Sequence, residues 1–230
     1  MNTLGILGGL GPAASCYFYD MLVRMRPAKR DQDHPDVLLY SKASIPDRSA
    51  YLLEQGESPL PALTEGIALL ERAGAGIIAV PCGTAHHWYP EMRAAASVPV
   101  LNMLELTAKT LRSQGVSKAA LLATEGSYVS GAFAAALERA GVTPLLPDSE
   151  ARTTLMNVIY GIKSGRMPGV EALEALAAPL IEQGAQRVIL GCTELSLFAR
   201  AGLPKLYIDA MQVLAEELLS VGVASRPPAS

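Results

Sequence analysis

The sequence predicts an α/β fold of two similar, Rossmann-like three-layer domains, each with a short parallel sheet flanked by helices. Short apolar strands alternate with helical patterns along all 230 residues. Two strands that each end in a cysteine, Cys82 and Cys192, repeat at an offset of 110 residues. Because ligands of open α/β sheets bind outside the carboxyl ends of the strands, we expect the active site in the cleft between the two domains.

The chain divides into two predicted domains. We expect an N-terminal α/β domain over residues 1–100 and a second α/β domain over residues 101–208. The final helix follows the strands of the second domain, so we expect residues 209–230 to pack back on the first domain and complete it. Within this segment, residues 210–219 are predicted as helix and residues 221–230 as a loose tail.

Apolar runs predict the strands, and apolar residues spaced three and four apart predict the helices. Pro12 suits the first turn of a helix, Ser58 suits a helix N-cap, and Gly184 suits the position just after a helix. The predicted strands are 3–7, 37–41, 77–80, 100–102, a strand from 118, 142–146, 187–191 and 205–208. The predicted helices are 13–25, one around 63–70, 88–96, 104–114, 130–140, 149–163, 168–183, a short one after 192, and 210–219.

The composition of the chain excludes several classes of function. Half of the residues are apolar and 18% are charged, which permits a large core. The net charge of −3 and the lack of a Lys/Arg cluster argue against nucleic acid as a partner. No apolar run reaches the roughly 20 residues of a membrane span, and the start of the chain lacks the basic region of a signal peptide. Three cysteines suit reduced thiols in the cytoplasm, and their spacing fits no metal site.

The two strand-end cysteines are the feature that needs an explanation. Each has a threonine close by, Thr84 after Cys82 and Thr193 after Cys192. A pair of thiols suits proton removal from a carbon acid, because one thiolate takes a proton from one face and the other thiol delivers one to the opposite face. The alternative is that both are inert buried thiols. Cys16, inside the first helix, is expected to pack in the core.

Further candidates surround these cysteines. The turn Gly9-Leu10-Gly11 is expected to hold a small anion on its backbone N–H groups. It also fits a variant of the dinucleotide fingerprint, but the second strand does not end in the acidic residue that a ribose requires. Arg48 and Lys163 are candidates to clamp a carboxylate. Glu194 and Asp47 are candidates for proton partners, with a surface or capping role as the alternative for each. Capping or supporting roles are expected for His86 and His87.

Seven segments in order resemble the cofactor-independent aspartate/glutamate racemase family, and within it the aspartate racemases. They are Gly5-Ile-Leu-Gly-Gly-Leu-Gly-Pro12, Lys29-Arg-Asp-Gln-Asp-His34, Ile45-Pro-Asp-Arg48, Pro81-Cys-Gly-Thr-Ala-His86, Leu121-Leu-Ala-Thr124, Ile159-Tyr-Gly-Ile-Lys163 and Leu190-Gly-Cys-Thr-Glu194.

The resemblance implies two domains related by pseudo-twofold symmetry, no pyridoxal phosphate, no metal, and often a homodimer. It implies that Cys82 and Cys192 are the acid/base pair, and that Thr84 and Thr193 hold the α-carboxylate and amino group. It also implies that Arg48 and Lys163 hold the side-chain carboxylate. The substrate-binding residues expected in full are Gly9, Leu10, Gly11, Arg48, Gly83, Thr84, Ala85, Thr124, Lys163, Thr193 and Glu194.

Two positions depart from the family pattern. Gly83 stands where the family has asparagine, and Leu10 replaces a common methionine. The expected function is racemisation of an acidic amino acid, aspartate first and glutamate second. The alternatives are a related cysteine-dependent isomerase, a hydantoin racemase, a decarboxylase of a small diacid, or a non-catalytic binder of an acidic metabolite.

Overall fold

The computed structural model describes residues 2–223, and two parallel sheets organise them. The first sheet contains β1 (Thr3–Gly8), β2 (Val37–Ser41) and β3 (Ala75–Ala79) in the order β2-β1-β3. The second contains β4 (Lys118–Leu122), β5 (Thr143–Leu145), β6 (Arg187–Leu190) and β7 (Tyr207–Asp209) in the order β5-β4-β6-β7. All strand pairs are parallel. β3 and β6, which precede the two cysteines, therefore hold equivalent places in the two sheets.

Helices connect and cover the strands. Strands β1, β3, β4 and β6 are mostly buried and apolar, as strands covered on both faces require, whereas β2, β5 and β7 are partly exposed. The helices are α1 (Pro12–Met25), α2 (Arg48–Leu52), α3 (Leu60–Arg72), α4 (Tyr89–Ala94), α5 (Met103–Ser113), α6 (Glu125–Ser130), α7 (Ala132–Arg139), α8 (Ser149–Lys163), α9 (Val170–Glu182) and α10 (Ala210–Val223). Within residues 2–223, no helix has the length and hydropathy needed to cross a membrane.

The last helix lies against the first sheet and the helices beside it. α10 packs on α5, α1 and β3, and Asn2 donates a backbone hydrogen bond to the carbonyl of Gly222. Its apolar residues join one cluster with residues of β1, β3 and β4. The proposed limits of the two domains stay a prediction, and residues 224–230 of the predicted tail lie outside the described residues.

Three local predictions were wrong, and one helix was missed. Residues 100–102 form a single bridge between Val100 and Ile78, because Asn102 instead caps α5 through its side-chain oxygen. The helix expected over 130–140 is α7 (Ala132–Arg139), and the missed helix α6 (Glu125–Ser130) ends just before Gly131, where φ is 65°. Residues 221–223 continue α10 rather than starting a tail. Cys16 is exposed, because the buried face of α1 carries its neighbours, including Ser15 and Tyr17.

Candidate active site

Cys82 follows β3 at the start of a tight turn. Its backbone N–H donates to the carbonyl of Val80 at 2.8 Å, and a 3₁₀ helix over Thr84–Trp88 follows. His86 in this helix accepts a hydrogen bond at Nε2 from the N–H of Met103, at 3.1 Å, so its Nδ1–H donates to the carbonyl of Cys82, at 2.9 Å. Burial lowers the pKa of His86, which is therefore neutral. His86 ties the Cys82 turn to the start of α5, in line with the supporting role expected for it.

Cys192 follows β6 and forms a hydrogen bond to an acidic residue. Its Sγ–H donates to Oε2 of Glu194 at 3.0 Å. Burial is the largest cause that raises the pKa of Cys192 well above its usual value, and the charge and hydrogen bond of Glu194 raise it further. Cys192 is therefore a protonated thiol whose proton points at a carboxylate oxygen.

Both cysteines line one small cavity between the two sheets. Its volume is about 20 Å³, enough for about one water molecule. Each cysteine is about 95% buried, and its exposed remainder faces this space. The cavity is lined by Leu10, Asp47, Arg48, Ser49, Cys82, Gly83, Thr84, Thr124, Lys163, Cys192, Thr193 and Glu194. The structure thus brings together ten of the thirteen catalytic and substrate-binding residues that the sequence predicted, and adds Asp47 and Ser49 to them.

A larger cavity of about 280 Å³ adjoins the small one. Its own lining residues, apart from those it shares with the small cavity, are Gly9, Gly11, Pro12, Ala13, Ala43, Ile45, Ile162 and Leu197. The two cavities share four charged residues, and these form the wall between them: Asp47, Arg48, Lys163 and Glu194. We call the two spaces the inner and the outer cavity.

Arg48, the first residue of α2, is largely committed to the protein backbone. Its Nη1 donates to the carbonyls of Ile45 and Pro46, and its Nη2 donates to the carbonyl of Leu10. Its Nε is buried and has no hydrogen-bond partner among the described residues. Three of the five N–H groups of this guanidinium are therefore used, and the Nε–H and one Nη2–H are left over at the cavity wall.

Asp47 caps α2 and lies beside this arginine. Its side chain accepts hydrogen bonds from the N–H groups of Ser49 and Ala50 at 2.8 and 2.9 Å. Burial pushes the pKa of Asp47 upward, but the Ala50 N–H and the charges of Arg48 and Lys163 outweigh it and leave the pKa lowered. Asp47 is thus a charged helix cap, rather than the proton carrier that the sequence offered as one possibility.

Lys163, the last residue of α8, faces Glu194. Its Nζ lies 4.0 Å from Oε1 of Glu194, too far for a hydrogen bond, and that oxygen is buried with no hydrogen-bond partner in residues 2–223. Burial disfavours the charged ammonium, but the nearby Glu194, Cys192 and Cys82 raise the pKa of Lys163 overall. Lys163 therefore carries a positive charge toward both thiols.

Three hydroxyl groups close a ring across the two sheets. Thr84 Oγ1 lies 2.7 Å from Thr124 Oγ1 and 3.0 Å from Ser127 Oγ, and the last two lie 3.1 Å apart. Each hydroxyl has one proton, so the ring uses all three donors and leaves lone pairs free. The sequence analysis missed Ser127, although Thr124 and Ser127 have the spacing of a helix cap, and it also missed Ser49, which lines the inner cavity.

The glycine turn differs from the expected anion site. The N–H of Gly9 donates to Ser15 Oγ at 2.8 Å, so this amide is not open to a ligand. Gly11 has φ 128°, and a Cβ at this residue would lie 2.3 Å from Oε1 of Glu194. The turn therefore serves as a close-fitting wall, with Gly9 and Gly11 at the outer cavity and Leu10 at the inner one.

The structure places Ala85, another predicted substrate-binding residue, outside both cavities. Its side chain is fully buried and packs in an apolar cluster with Cys82 and Trp88. Among the described residues, no group of three or more His, Cys, Asp or Glu side chains is arranged to hold a metal ion.

Comparison with known proteins gives three informative matches. The broad specificity amino-acid racemase RacX of Bacillus subtilis (strain 168) is 30% identical over 198 residues, covering 84% of this chain and 86% of that protein. The aspartate racemase of Picrophilus torridus has a TM-score of 0.86 at 30% identity, covering 97% of this chain and 95% of its own. The glutamate racemase isoform RacE1 of Bacillus anthracis shares the fold, with a TM-score of 0.69 at 16% identity over 96% and 81% of the two chains.

The family described as Asp/Glu/Hydantoin racemase matches residues 7–218 of the sequence. These matches confirm the resemblance that the seven motifs indicated, and the solved structures confirm the predicted α/β fold with two sets of short parallel strands. They also support an amino-acid racemase activity. The chain belongs to the Asp/Glu/hydantoin racemase family.

Proposed function

We propose that this protein racemises an acidic amino acid, aspartate first and glutamate second, by a two-base mechanism in which Cys82 and Cys192 act on opposite faces of the α-carbon. The observation that carries the proposal is that the two thiols, each at the end of an equivalent strand, line one cavity. The mechanism needs no cofactor, because the two thiols supply both the base and the acid.

The unpaired polar atoms at this cavity support an amino-acid ligand. Arg48 Nε is a buried donor without an acceptor, and Glu194 Oε1 is a buried acceptor without a donor. Leaving such a group unsatisfied costs about 1–3 kcal/mol, and more when it is charged. A zwitterionic amino acid brings a carboxylate for the first and an ammonium group for the second. Lys163 adds a second cation, which favours a substrate with a second carboxylate.

The two thiols begin the reaction in different roles. Cys192 is a protonated thiol beside Glu194, so it is the acid in the first turnover. Cys82, as a thiolate, takes the α-proton, so that the Cα–H bond breaks and an S–H bond forms. The electron pair spreads into the substrate carboxylate, and the Cys192 S–H proton then bonds to Cα from the opposite face.

The enzyme left by this turnover suits the other enantiomer, since Cys82 now carries the proton and Cys192 is the thiolate. Glu194 Oε2, 3.0 Å from Cys192 Sγ, is placed to take up a proton from water and pass it to that sulfur, while Cys82 releases its proton to water, so that the pair is reset. The positive charge of Lys163 stabilises a thiolate on either cysteine, in line with the effects of both thiols on its pKa.

Entry of substrate requires the inner cavity to open. Its volume of about 20 Å³ describes a closed state, and the outer cavity of about 280 Å³ is the adjoining space. The 4.0 Å ion pair between Lys163 and Glu194 lies between the two cavities. We propose that substrate enters from the outer cavity. As it enters, Lys163 and Glu194 separate, so that Lys163 binds a substrate carboxylate and Glu194 binds the ammonium group.

A broader substrate range is the second candidate. The two relatives at 30% identity differ in their names, one a broad specificity amino-acid racemase and the other an aspartate racemase. Gly83 leaves the inner cavity without a side chain at this position, which by itself favours neither a broad nor an acidic substrate range. The paired basic residues favour the acidic substrate.

The test incubates the protein with each enantiomer of a panel of amino acids and separates the enantiomers by chiral chromatography. We expect L-aspartate and D-aspartate to converge on the same equal mixture. Cys82→Ala and Cys192→Ala each lower this rate by on the order of 10²- to 10⁴-fold or more, the contribution of acid/base catalysis. Cys16→Ala is the matched control, because Cys16 is exposed and outside both cavities.

Three results would contradict the proposal. Full activity in either cavity variant removes that thiol from the mechanism. Release of CO2 from a small diacid assigns the decarboxylase alternative. Tight binding of an acidic metabolite, with no change in any amino acid, assigns the non-catalytic alternative.

A further inference from the structure

The turns after the two cysteines are each tied to a helix by a buried polar side chain. His86 and Ser196 both lie four residues after a cysteine, in the 3₁₀ helix that follows it. His86 accepts a hydrogen bond from the N–H of Met103, the first residue of α5. Ser196 reaches the start of α10 through a second side chain, that of Asp209.

One oxygen of Asp209 accepts two hydrogen bonds. Ser196 Oγ donates to Asp209 Oδ1 at 2.7 Å, and the N–H of Met211 donates to the same oxygen at 2.9 Å. The bond from Met211 is enough to cap the start of a helix. The bond from Ser196 joins residues 13 positions apart, and the Ser196 side chain is fully buried. It therefore ties the 3₁₀ helix after Cys192 to the start of α10.

Glu194 lies in the same turn as Ser196. The 3₁₀ helix over Leu195–Ala201 begins directly after Glu194, and the N–H of Leu195 donates to the carbonyl of Cys192 at 2.9 Å. The carboxylate of Glu194 in turn accepts the Cys192 proton at 3.0 Å. A shift of Ser196 therefore moves the residue that holds this carboxylate against the thiol.

The other end of the tie lies on a well-packed helix. α10 packs on α1, α5 and β3, and it also contacts β6 and β7 of the second sheet. Its residues Met211, Leu214 and Leu218 are fully buried. α5, to which His86 ties the Cys82 turn, packs directly on α10. The two cysteine turns are thus anchored on one pair of helices.

We infer that Asp209 is a positioning residue, which acts through Ser196 to hold the turn after Cys192 so that Glu194 keeps its carboxylate against the Cys192 thiol. This inference rests on the proposed racemase function, because Glu194 serves there as the proton partner of Cys192. Asp209 lines neither the inner nor the outer cavity, so its effect on the reaction is indirect. Misplacement of a reacting group by about 1 Å can cost on the order of 10²-fold in rate.

Two substitutions at Asp209 separate the hydrogen bond from the charge. Asp209→Asn and Asp209→Ala both remove the carboxylate charge, but asparagine keeps an oxygen that accepts from Ser196. Ser196→Ala removes the donor of the same bond. We expect kcat for aspartate to fall about tenfold or more in Ser196→Ala and Asp209→Ala, with little change in KM. Asp209→Asn should stay near the wild-type kcat.

Thr107→Val is the matched control for the loss of a buried hydroxyl group. Thr107 is fully buried in α5, and its Oγ1 donates to the carbonyl of Met103 at 2.8 Å. Valine removes this hydrogen bond and leaves the one between Ser196 and Asp209 in place, so we expect the wild-type kcat. Thermal unfolding shows which variants are folded, and Ser196→Ala carries the test if Asp209→Ala does not fold.

Thiol labelling reads the placement of Glu194 without any substrate. Burial raises the pKa of Cys192 most, and the charge and hydrogen bond of Glu194 raise it further. A displaced Glu194 therefore leaves more of Cys192 as thiolate, the form that iodoacetamide attacks. Cys82 lines the same cavity, so its labelling reports how far the cavity itself opens. The ratio of Cys192 to Cys82 labelling, read by mass spectrometry, isolates the effect of Glu194.

We expect this labelling ratio to rise about tenfold in Ser196→Ala and Asp209→Ala, which corresponds to a pKa of Cys192 lowered by about one unit. Asp209→Asn and Thr107→Val should keep the wild-type ratio. Glu194→Gln gives the upper limit of the change, because it removes the carboxylate itself.

An unchanged labelling ratio in a folded Ser196→Ala protein would overturn the inference. A folded Asp209→Asn protein that loses as much kcat as Asp209→Ala would overturn it as well, because the hydrogen bond would then not be what matters. If the labelling ratio rises but the wild-type protein racemises no amino acid, the proposed function fails while the positioning of Glu194 by Asp209 and Ser196 stands.

Discussion

The buried carboxyl group of Asp209 predicts how the stability of the fold changes with pH. This residue, at the end of β7, is 7% exposed, and its Oδ1 accepts hydrogen bonds from Ser196 Oγ and the N–H of Met211. Its Oδ2 is buried with no hydrogen-bond partner in the described part of the chain. Burial raises the pKa of Asp209 from 3.8 to about 6, despite the opposing effect of these hydrogen bonds.

The sign of the effect on stability follows from the raised pKa. The folded protein binds this proton more tightly than the unfolded chain, so the protonated form stabilises the fold. This stability is fully present below pH 3.8 and is lost as the pH rises through about 6. At 1.36 kcal/mol per pKa unit the whole loss is about 3 kcal/mol, of which about 2 kcal/mol falls between roughly pH 4.5 and 7.5.

The assay is urea unfolding of the wild type and Asp209→Asn across that pH interval. Asparagine keeps the accepting oxygen but does not ionise, so the variant should lack this pH dependence. We expect the difference in unfolding free energy between the two proteins to shift by about 2 kcal/mol in favour of the variant as the pH rises. Parallel pH profiles would refute the reasoning, since they would mean that Asp209 ionises as easily in the fold as in the unfolded chain.

Three further predictions concern the cavity wall. Glu194→Gln removes the carboxylate that accepts the Cys192 proton. The kcat for racemisation should therefore fall on the order of 10²-fold. An unchanged pH–rate profile would show that Glu194 exchanges no proton. Lys163→Met leaves Glu194 without its cation. The KM for aspartate should rise about 30-fold or more, which corresponds to about 2 kcal/mol of lost binding free energy. An unchanged KM would show that Lys163 does not bind substrate. Gly11→Ala places a Cβ against Glu194 at a residue whose φ is 128°. The free energy of unfolding in urea should therefore fall by about 1–3 kcal/mol. An unchanged unfolding midpoint would mean that the turn relaxes without cost.

The sequence predicts the parts of this fold that depend on local pattern. Apolar runs of four to six residues identified the strands before Cys82 and Cys192, and helical spacing gave α8 its observed bounds, Ser149–Lys163. Both thiols could be placed at strand ends because a parallel sheet has only one edge where its carboxyl ends meet. The threonines beside the two cysteines, the glycine turn and the charged candidates also followed from residue chemistry, whereas Gly83, Ala85 and Thr124 came only from the resemblance to a family.

Contacts between distant segments could not be predicted from local pattern. The approach of Gly83 to Gly191 and the ring of Thr84, Thr124 and Ser127 depend on how the two sheets face each other. The packing of Ala85 has the same origin, because Gly83 and Thr84 line the inner cavity while the side chain of Ala85 packs in a core cluster. At Val100 the apolar pattern favoured a strand, but the capping bond of the nearby Asn102 to α5 prevailed.

Deuterium labelling during the first turnovers tests the two-thiol mechanism most directly. The protein is supplied with one enantiomer of aspartate in D2O, and both enantiomers are isolated and analysed by mass spectrometry before the reaction has gone far. Two thiols on opposite faces predict deuterium at the α-carbon of the newly formed enantiomer, while the remaining substrate keeps its hydrogen. A product that retains the hydrogen of the substrate would mean that one base carries the same proton from face to face, and the two-thiol mechanism would be contradicted.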